Sequence, residues 1–189
     1  MNKLLYISFL VCLFVSTQLF SEQLILHSKQ ILNVDTGDLY QSQILIEDGM
    51  IVKIERDLSK KQKHIKVVDL SRLTLIPGLM DSHVHLIGNT KLKGYESISE
   101  SSYLATIYGV DNAKKTLLAG FTTVRNVGAG NYADVALKEA IDRNVVSGPT
   151  MIVSGPALGI TGGHCDSNLL PYDYEHKSQG VADGPWEVR

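Results

Sequence analysis

The residues with the clearest chemical potential are His83 and His85, in the run Leu73-Thr74-Leu75-Ile76-Pro77-Gly78-Leu79-Met80-Asp81-Ser82-His83-Val84-His85-Leu86. Side chains alternate along a strand, so a strand here places both imidazoles on one face and Val84 on the other. Two neutral imidazoles on one rigid strand can grip a single metal ion at Zn–N distances of roughly 2.0–2.1 Å. A bare His-x-His pair is commonly a surface or core feature. Its place after Pro77-Gly78 and Asp81, behind a β-rich segment, is what points to metal. A third histidine, His164, follows paired glycines in Gly162-Gly163-His164-Cys165-Asp166. Such glycines let backbone approach a ligand closely, which makes His164 a candidate substrate contact; the alternative is a histidine that pins its loop. Cys165 beside it does not make a structural zinc site, because one His-Cys pair lacks the required spacing.

The elements that must position these groups come in two styles. From Leu24 to Ile76 the pattern is short strands with polar turns: Leu24-Ile25-Leu26, Gln30 to Val34, then Gln43 to Glu47 and Met50 to Ile54 around Asp48-Gly49. Asp-Gly between two apolar runs is a hairpin signal, since a type I′ turn needs positive φ at both central residues. Lys60-Lys61-Gln62-Lys63-His64 reads as a solvated basic loop. Beyond His85 the style changes. A polar stretch from Gly88 to Ser101 is long enough to be functional. A helix then runs from a Ser101 cap to about Ala119, with an apolar stripe through Leu104, Tyr108 and Leu117 and with Gly120 as terminator. Phe121 to Val127 reads as a strand, Tyr132 to Arg143 as a helix, and Thr150 to Ser154 as a third strand. Alternating strands and helices imply a parallel sheet with right-handed crossovers. Gly128-Ala129-Gly130-Asn131-Tyr132-Ala133 formally fits a dinucleotide fingerprint, but the next strand ends Ser154-Gly155 without the acid that would hold a ribose, so a tight turn is the better reading. Ala182 to Arg189 reads as a helix start, with Asp183 as cap and Pro185 in the first turn.

The chain has 189 residues and a formal net charge of −2, with both signs mixed along it. Nothing in that balance favours a nucleic acid or an anionic membrane as partner. Met1 to about Ser21 carries Lys3, an uncharged apolar run from Leu4 to Val15, and a small residue at Ser21. This reads as an export signal, hence a periplasmic or secreted protein, with an N-terminal membrane anchor as the alternative. Cys12 would leave with that segment, so the mature chain keeps only Cys165 and forms no internal disulfide.

The His-x-His stretch resembles the first barrel strand of the amidohydrolase superfamily, metal-dependent hydrolases on a (β/α)8 barrel. Phe121-Thr122-Thr123-Val124-Arg125-Asn126 and Gly159-Ile160-Thr161-Gly162-Gly163-His164 resemble its imidazolonepropionase-like and Xaa-Pro dipeptidase (prolidase) branch. The likeness extends from about Leu24 to Arg189. It implies an α/β fold: the first three β/α units of an incomplete (β/α)8 barrel, preceded by part of a small β-sandwich. The implied divisions are a signal peptide at 1–21, the sandwich portion at 22–76 and the barrel portion at 77–189. A complete barrel takes around 250 residues, so a truncated chain or fragment is expected. The resemblance further implies two zinc ions in the whole enzyme, with His83 and His85 holding the more buried one. A carboxylated lysine, two more histidines and an Asp general base would come from later strands that this chain lacks. The implied reaction is hydrolysis of a C–N bond in a small-molecule or dipeptide substrate, such as an Xaa-Pro dipeptide or a cyclic amide, the chain alone being inactive. The alternatives are an inert folding module that depends on a partner or forms a homo-oligomer, and a periplasmic metal-binding protein. One departure stands out: the branch usually ends its second barrel strand Arg-Asp, where this chain has Arg125-Asn126.

Overall fold

Asp48 and Gly49 both adopt positive φ, 49° and 78°, as the type I′ hairpin requires. They join β2 (Leu39–Glu47) to β3 (Met50–Glu55), with Glu47 opposite Met50 and Ile44 opposite Ile54. In this computed structural model residues 22–166, 169–171, 173–174 and 176–189 are described; the expected export segment, Met1 to Ser21, lies outside them. Backbone packing separates the described residues into two units, one ending at Pro77 and one beginning at Gly78.

The first unit is a single sheet in the order β3-β2-β1-β4, with β5 (Thr74–Leu75) also pairing with β1. β1 (Gln23–Leu32) runs antiparallel to β2 and parallel to β4 (Lys66–Asp69). The two short strands expected near Leu24 and Gln30 are therefore one strand. The Ser28 hydroxyl explains the irregularity between them: it accepts from the Gln30 N–H at 3.1 Å and lies 3.0 Å from the Leu73 carbonyl, at a bulge in the ladder with β2. Part of the expected basic loop is a short helix, α1 (Leu58–Lys61). Leu58 drops from it into a core of Ile25, Leu45 and Ile65.

The second unit is the α/β part. Its three strands, β6 (Leu79–Val84), β7 (Phe121–Asn126) and β8 (Thr150–Val153), form a parallel sheet in chain order. α2 (Ser102–Leu118) connects the first two and α3 (Ala133–Asp142) the second two. The Ser101 hydroxyl accepts the Leu104 N–H at 3.3 Å, the expected cap. Leu86, Ala113, Val124, Leu137 and Met151 close the core between sheet and helices. Leaving water stabilises each of the larger side chains by about 1.5–3 kcal/mol. Gly78 at the entry to β6 is required by packing: a Cβ there would lie 2.1 Å from Thr122 Oγ1. Three parallel strands with two intervening helices form, as expected, the start of a (β/α)8 barrel, the third strand without its helix among the described residues.

The segment Ala182 to Arg189 differs from expectation. It forms a single turn, with Glu187 and Val188 N–H groups on the Gly184 carbonyl, rather than a helix. Asp183 does not cap it, because its carboxylate is already committed to Thr161, at 2.7 Å from the N–H and 2.6 Å from the hydroxyl.

Candidate metal centre

β6 ends at Val84, so His83 is in the strand and His85 follows directly at its C-terminal edge. Both side chains are exposed, with ring centroids 5.4 Å apart and ring planes at 74°. Two imidazoles bound to one tetrahedral zinc would place their centroids roughly 5 Å apart, given the Zn–N distance. The pair therefore fits two positions on one ion. Among the described residues no group of three His, Cys, Asp or Glu side chains converges as a metal cage. Asp81 is not a third ligand; its Oδ1 accepts the His83 backbone N–H at 3.0 Å and so shapes the strand.

The backbone that leaves His85 is held from two sides. The Leu86 N–H donates to Asn126 Oδ1 at 2.8 Å, and the Leu86 carbonyl accepts from Asn112 Nδ2 of α2 at 2.8 Å. Asn112 Nδ2 also reaches the Gly88 carbonyl at 3.0 Å. Asn126, at the end of β7, has no exposed surface, and neither has Asp134 in the first turn of α3. Asn126 Nδ2 donates to Asp134 Oδ2 at 3.2 Å. The same oxygen accepts the Gly155 N–H at 3.1 Å, and Oδ1 accepts the Val135 N–H at 2.9 Å. One buried amide and one buried carboxylate thus tie together the exits of all three strands. This accounts for Arg125-Asn126. A carboxylate at 126 would face another carboxylate, whereas the amide supplies the donor that Asp134 needs. Arg125 Nε donates to the Ser82 carbonyl at 2.7 Å, beside His83.

The histidines open into a cleft of about 840 Å3 whose lining also includes Gly128, His164, Cys165, His176 and Gln179. Gly128 sits against the His85 ring: a Cβ there would be 3.6 Å from Cε1 and 3.0 Å from the Ala157 methyl. His164 and His85 therefore share one cleft although they lie far apart in the chain. The far wall is a strap held by charge. Lys177 pairs with Glu187 at 2.6 Å and with Asp183 at 3.5 Å. Hydrogen bonds from Thr161, then the Lys177 charge, hold the Asp183 carboxyl below its usual range; Lys177 does the same to Glu187 and is itself raised. Asn131, at φ 55°, donates its N–H to Gln179 Oε1 at 2.5 Å and ties the strap to the start of α3.

The amidohydrolase family profile matches residues 74–185, more than half of the chain and every residue that lines the cleft. The chain belongs to the amidohydrolase family. It is 29% identical over 154 residues to the ochratoxinase of Aspergillus niger, covering 78% of this chain and 31% of that protein. It is 34% identical over 64 residues to adenine deaminase 1 of Latilactobacillus sakei, covering 33% of this chain and 11% of that one. Its fold superposes on a Xaa-Pro dipeptidase crystallised with methionine in the active site, at a TM-score of 0.77 and 28% identity, over 88% of this chain and 42% of the dipeptidase. A prolidase bound to N-methylphosphonate-L-proline superposes at 0.63 with 30% identity, over 75% of this chain and 34% of that one. This amidohydrolase chain thus spans less than half the length of the relatives it matches.

Reading the sequence alone misses His176, Gln179, Asn112 and Asp134. His176 and Gln179 sit in a polar run without periodicity that follows the His164 loop, and that continuity was the available signal. Asn112 and Asp134 carry no local signal, because each is a polar residue on an otherwise ordinary helix.

Proposed function

We propose that this chain supplies the first metal-ligating strand and part of the substrate cleft of a zinc-dependent amidohydrolase that cleaves C–N bonds, with Xaa-Pro dipeptides as the substrate class. The carrying observation is the His83–His85 pair, whose 5.4 Å spacing suits one tetrahedral ion at the mouth of a cleft. The dipeptidase and prolidase likenesses support the substrate class. When bound, zinc supplies Lewis acidity that polarises the scissile carbonyl and acidifies a water. His83 and His85 would hold the ion, and Asn126, Asn112 and Asp81 fix the backbone that carries them. His164 lies where it can contact a bound substrate. In the intact enzyme two zinc ions would be held, with ligands from further strands completing the spheres.

The test is metal content and Xaa-Pro hydrolysis measured together on the intact protein. His83→Ala and His85→Ala should each lower zinc occupancy and rate in parallel, because truncating a ligand removes metal affinity. Full zinc occupancy in a folded double variant would refute the assignment. The apolar N-terminal segment supports export to a periplasmic or secreted site of action, and the mature protein from its host should begin near Glu22 by mass spectrometry.

A further inference from the structure

The far wall of the metal cleft carries one side chain whose orientation the fold determines. Gln179 lies on the strap, and the backbone on either side of it is held against the loop that follows β8. The Ser178 N–H donates to Asp166 Oδ1 at 3.2 Å, and the Gly180 carbonyl accepts the Gly159 N–H at 3.2 Å. Gly180 has φ 84°, and a Cβ there would lie 2.4 Å from the Ala157 carbonyl oxygen, so only glycine lets the strap come this close. From this base the Gln179 side chain reaches the start of α3, where Oε1 accepts the Asn131 N–H. A backbone N–H only donates, so the amide end that meets it is the oxygen, and Nε2 with its two hydrogens is the end left over. Among the described residues nothing accepts from Nε2. Asn131 and Tyr132 both hold φ at 55°, a conformation that is unfavourable for residues other than glycine and that clusters at functional sites. Asn131 and Gln179 line the same cleft of about 840 Å3 as His83 and His85, and that volume is within the range of small-molecule sites, about 300–1,000 Å3.

We propose that Gln179 is a specificity-determining residue of this site, its Nε2 donating to the carboxylate of the prolyl half of the substrate. A carboxylate only accepts, and its charge strengthens a hydrogen bond from a neutral amide. In an Xaa-Pro dipeptide the carboxyl carbon is three bonds from the scissile carbon, so a group that meets it belongs on the wall of the cleft that holds the metal strand. The Asn131 N–H keeps the amide from turning. The donor is therefore in place before substrate arrives, and little side-chain ordering offsets the binding. Gln179 takes no part in bond breaking. The assignment rests on the dipeptide reading above and adds to it the side chain that reads the leaving half.

The experiment uses the zinc-loaded intact protein with Leu-Pro and Leu-pyrrolidide, which is Leu-Pro without the carboxylate. Wild type should favour Leu-Pro in kcat/KM by about 10–100-fold, the worth of one hydrogen bond to a charged group. Gln179→Glu keeps an oxygen for the Asn131 N–H and puts a second carboxylate oxygen where the donor was, so the strap stays tied while the substrate carboxylate is repelled. The preference for Leu-Pro should vanish or reverse, chiefly through KM. Binding of N-methylphosphonate-L-proline, measured by calorimetry, should weaken at least about tenfold in the same variant. A wild-type ratio near one overturns the proposal. So does a folded Gln179→Glu protein that keeps the wild-type ratio, whether both rates fall together because Gln179 only ties the strap or neither moves because Nε2 meets only water. If neither peptide is cleaved, calorimetry decides. Phosphonate binding that weakens in Gln179→Glu means that the hydrolytic reading fails and the carboxylate site stands; binding that is absent or unchanged overturns the proposal.

Discussion

Replacing Asn126 by Asp tests the buried network behind the metal strand most directly. The change swaps one donor nitrogen for an oxygen and adds no bulk. The new oxygen would sit where Nδ2 now lies, 3.2 Å from Asp134 Oδ2, with both residues fully buried. Two charges at that distance repel by about 5 kcal/mol at an effective dielectric of 20. The alternative is for one carboxyl to keep its proton, which restores a donor. Holding a proton at pH 7 on a group that would release it near 4 takes about 4 kcal/mol, at 1.4 kcal/mol per pH unit. The second route is slightly less unfavourable, so it sets the expected loss: about 4 kcal/mol at pH 7. The sign follows from linkage. The folded variant binds one proton more than the unfolded chain, so the penalty is small near pH 4 and grows as pH rises toward the elevated folded value. Urea melts of the intact protein from pH 4.5 to 8 would measure it. Combining Asn126→Asp with Asp134→Asn should recover part of the loss, since one carboxylate again meets one amide. Recovery stays partial because an amide at position 134 has a single oxygen for two backbone donors. A loss under about 1 kcal/mol at pH 7, flat with pH, would refute the network as described.

Three further outcomes are expected. Gly78→Ala should destabilise the barrel part by about 1–3 kcal/mol through overpacking on Thr122, whose Oγ1 would lie 2.1 Å from the new methyl, and Thr122→Gly should restore most of it in a urea melt. His83→Ala should lower zinc content without shifting the metal-free thermal melt, since its ring is exposed, whereas Asn126→Ala should lower both. The strap joining Thr161, Asp183, Lys177 and Glu187 should loosen in acid: its carboxyls are held below their usual values of 3.8 and 4.5, so its stabilisation is complete above that range and is lost as pH falls through the lower folded values. The protection factor of the Thr161 N–H, its exchange rate relative to the intrinsic rate at each pH, should fall below about pH 4 and stay high at pH 6.

Chemistry that depends on neighbours along the chain is legible in the sequence. His83 and His85 are two positions apart, and the period of a strand alone puts them on one face. Asp48-Gly49 determines its turn because only two backbone torsion pairs are involved. The helix caps and the alternation of strand with helix are local in the same sense, so the three β/α units follow from pattern. The limits of local reading show at Ala182 to Arg189, where Asp183 and Pro185 have the right spacing for a helix start. Asp183 instead bonds Thr161, 22 positions away, and that competition is invisible in the segment itself. The same holds for Asn126, Asp134 and Gly155, which meet only because a parallel sheet brings consecutive strand exits to one edge. Sequence alone determined that a metal strand is expected and which way its histidines face. Tertiary structure decided what holds that strand still and which distant loop shares its cleft, because each depends on burial and on register between strands far apart in the chain.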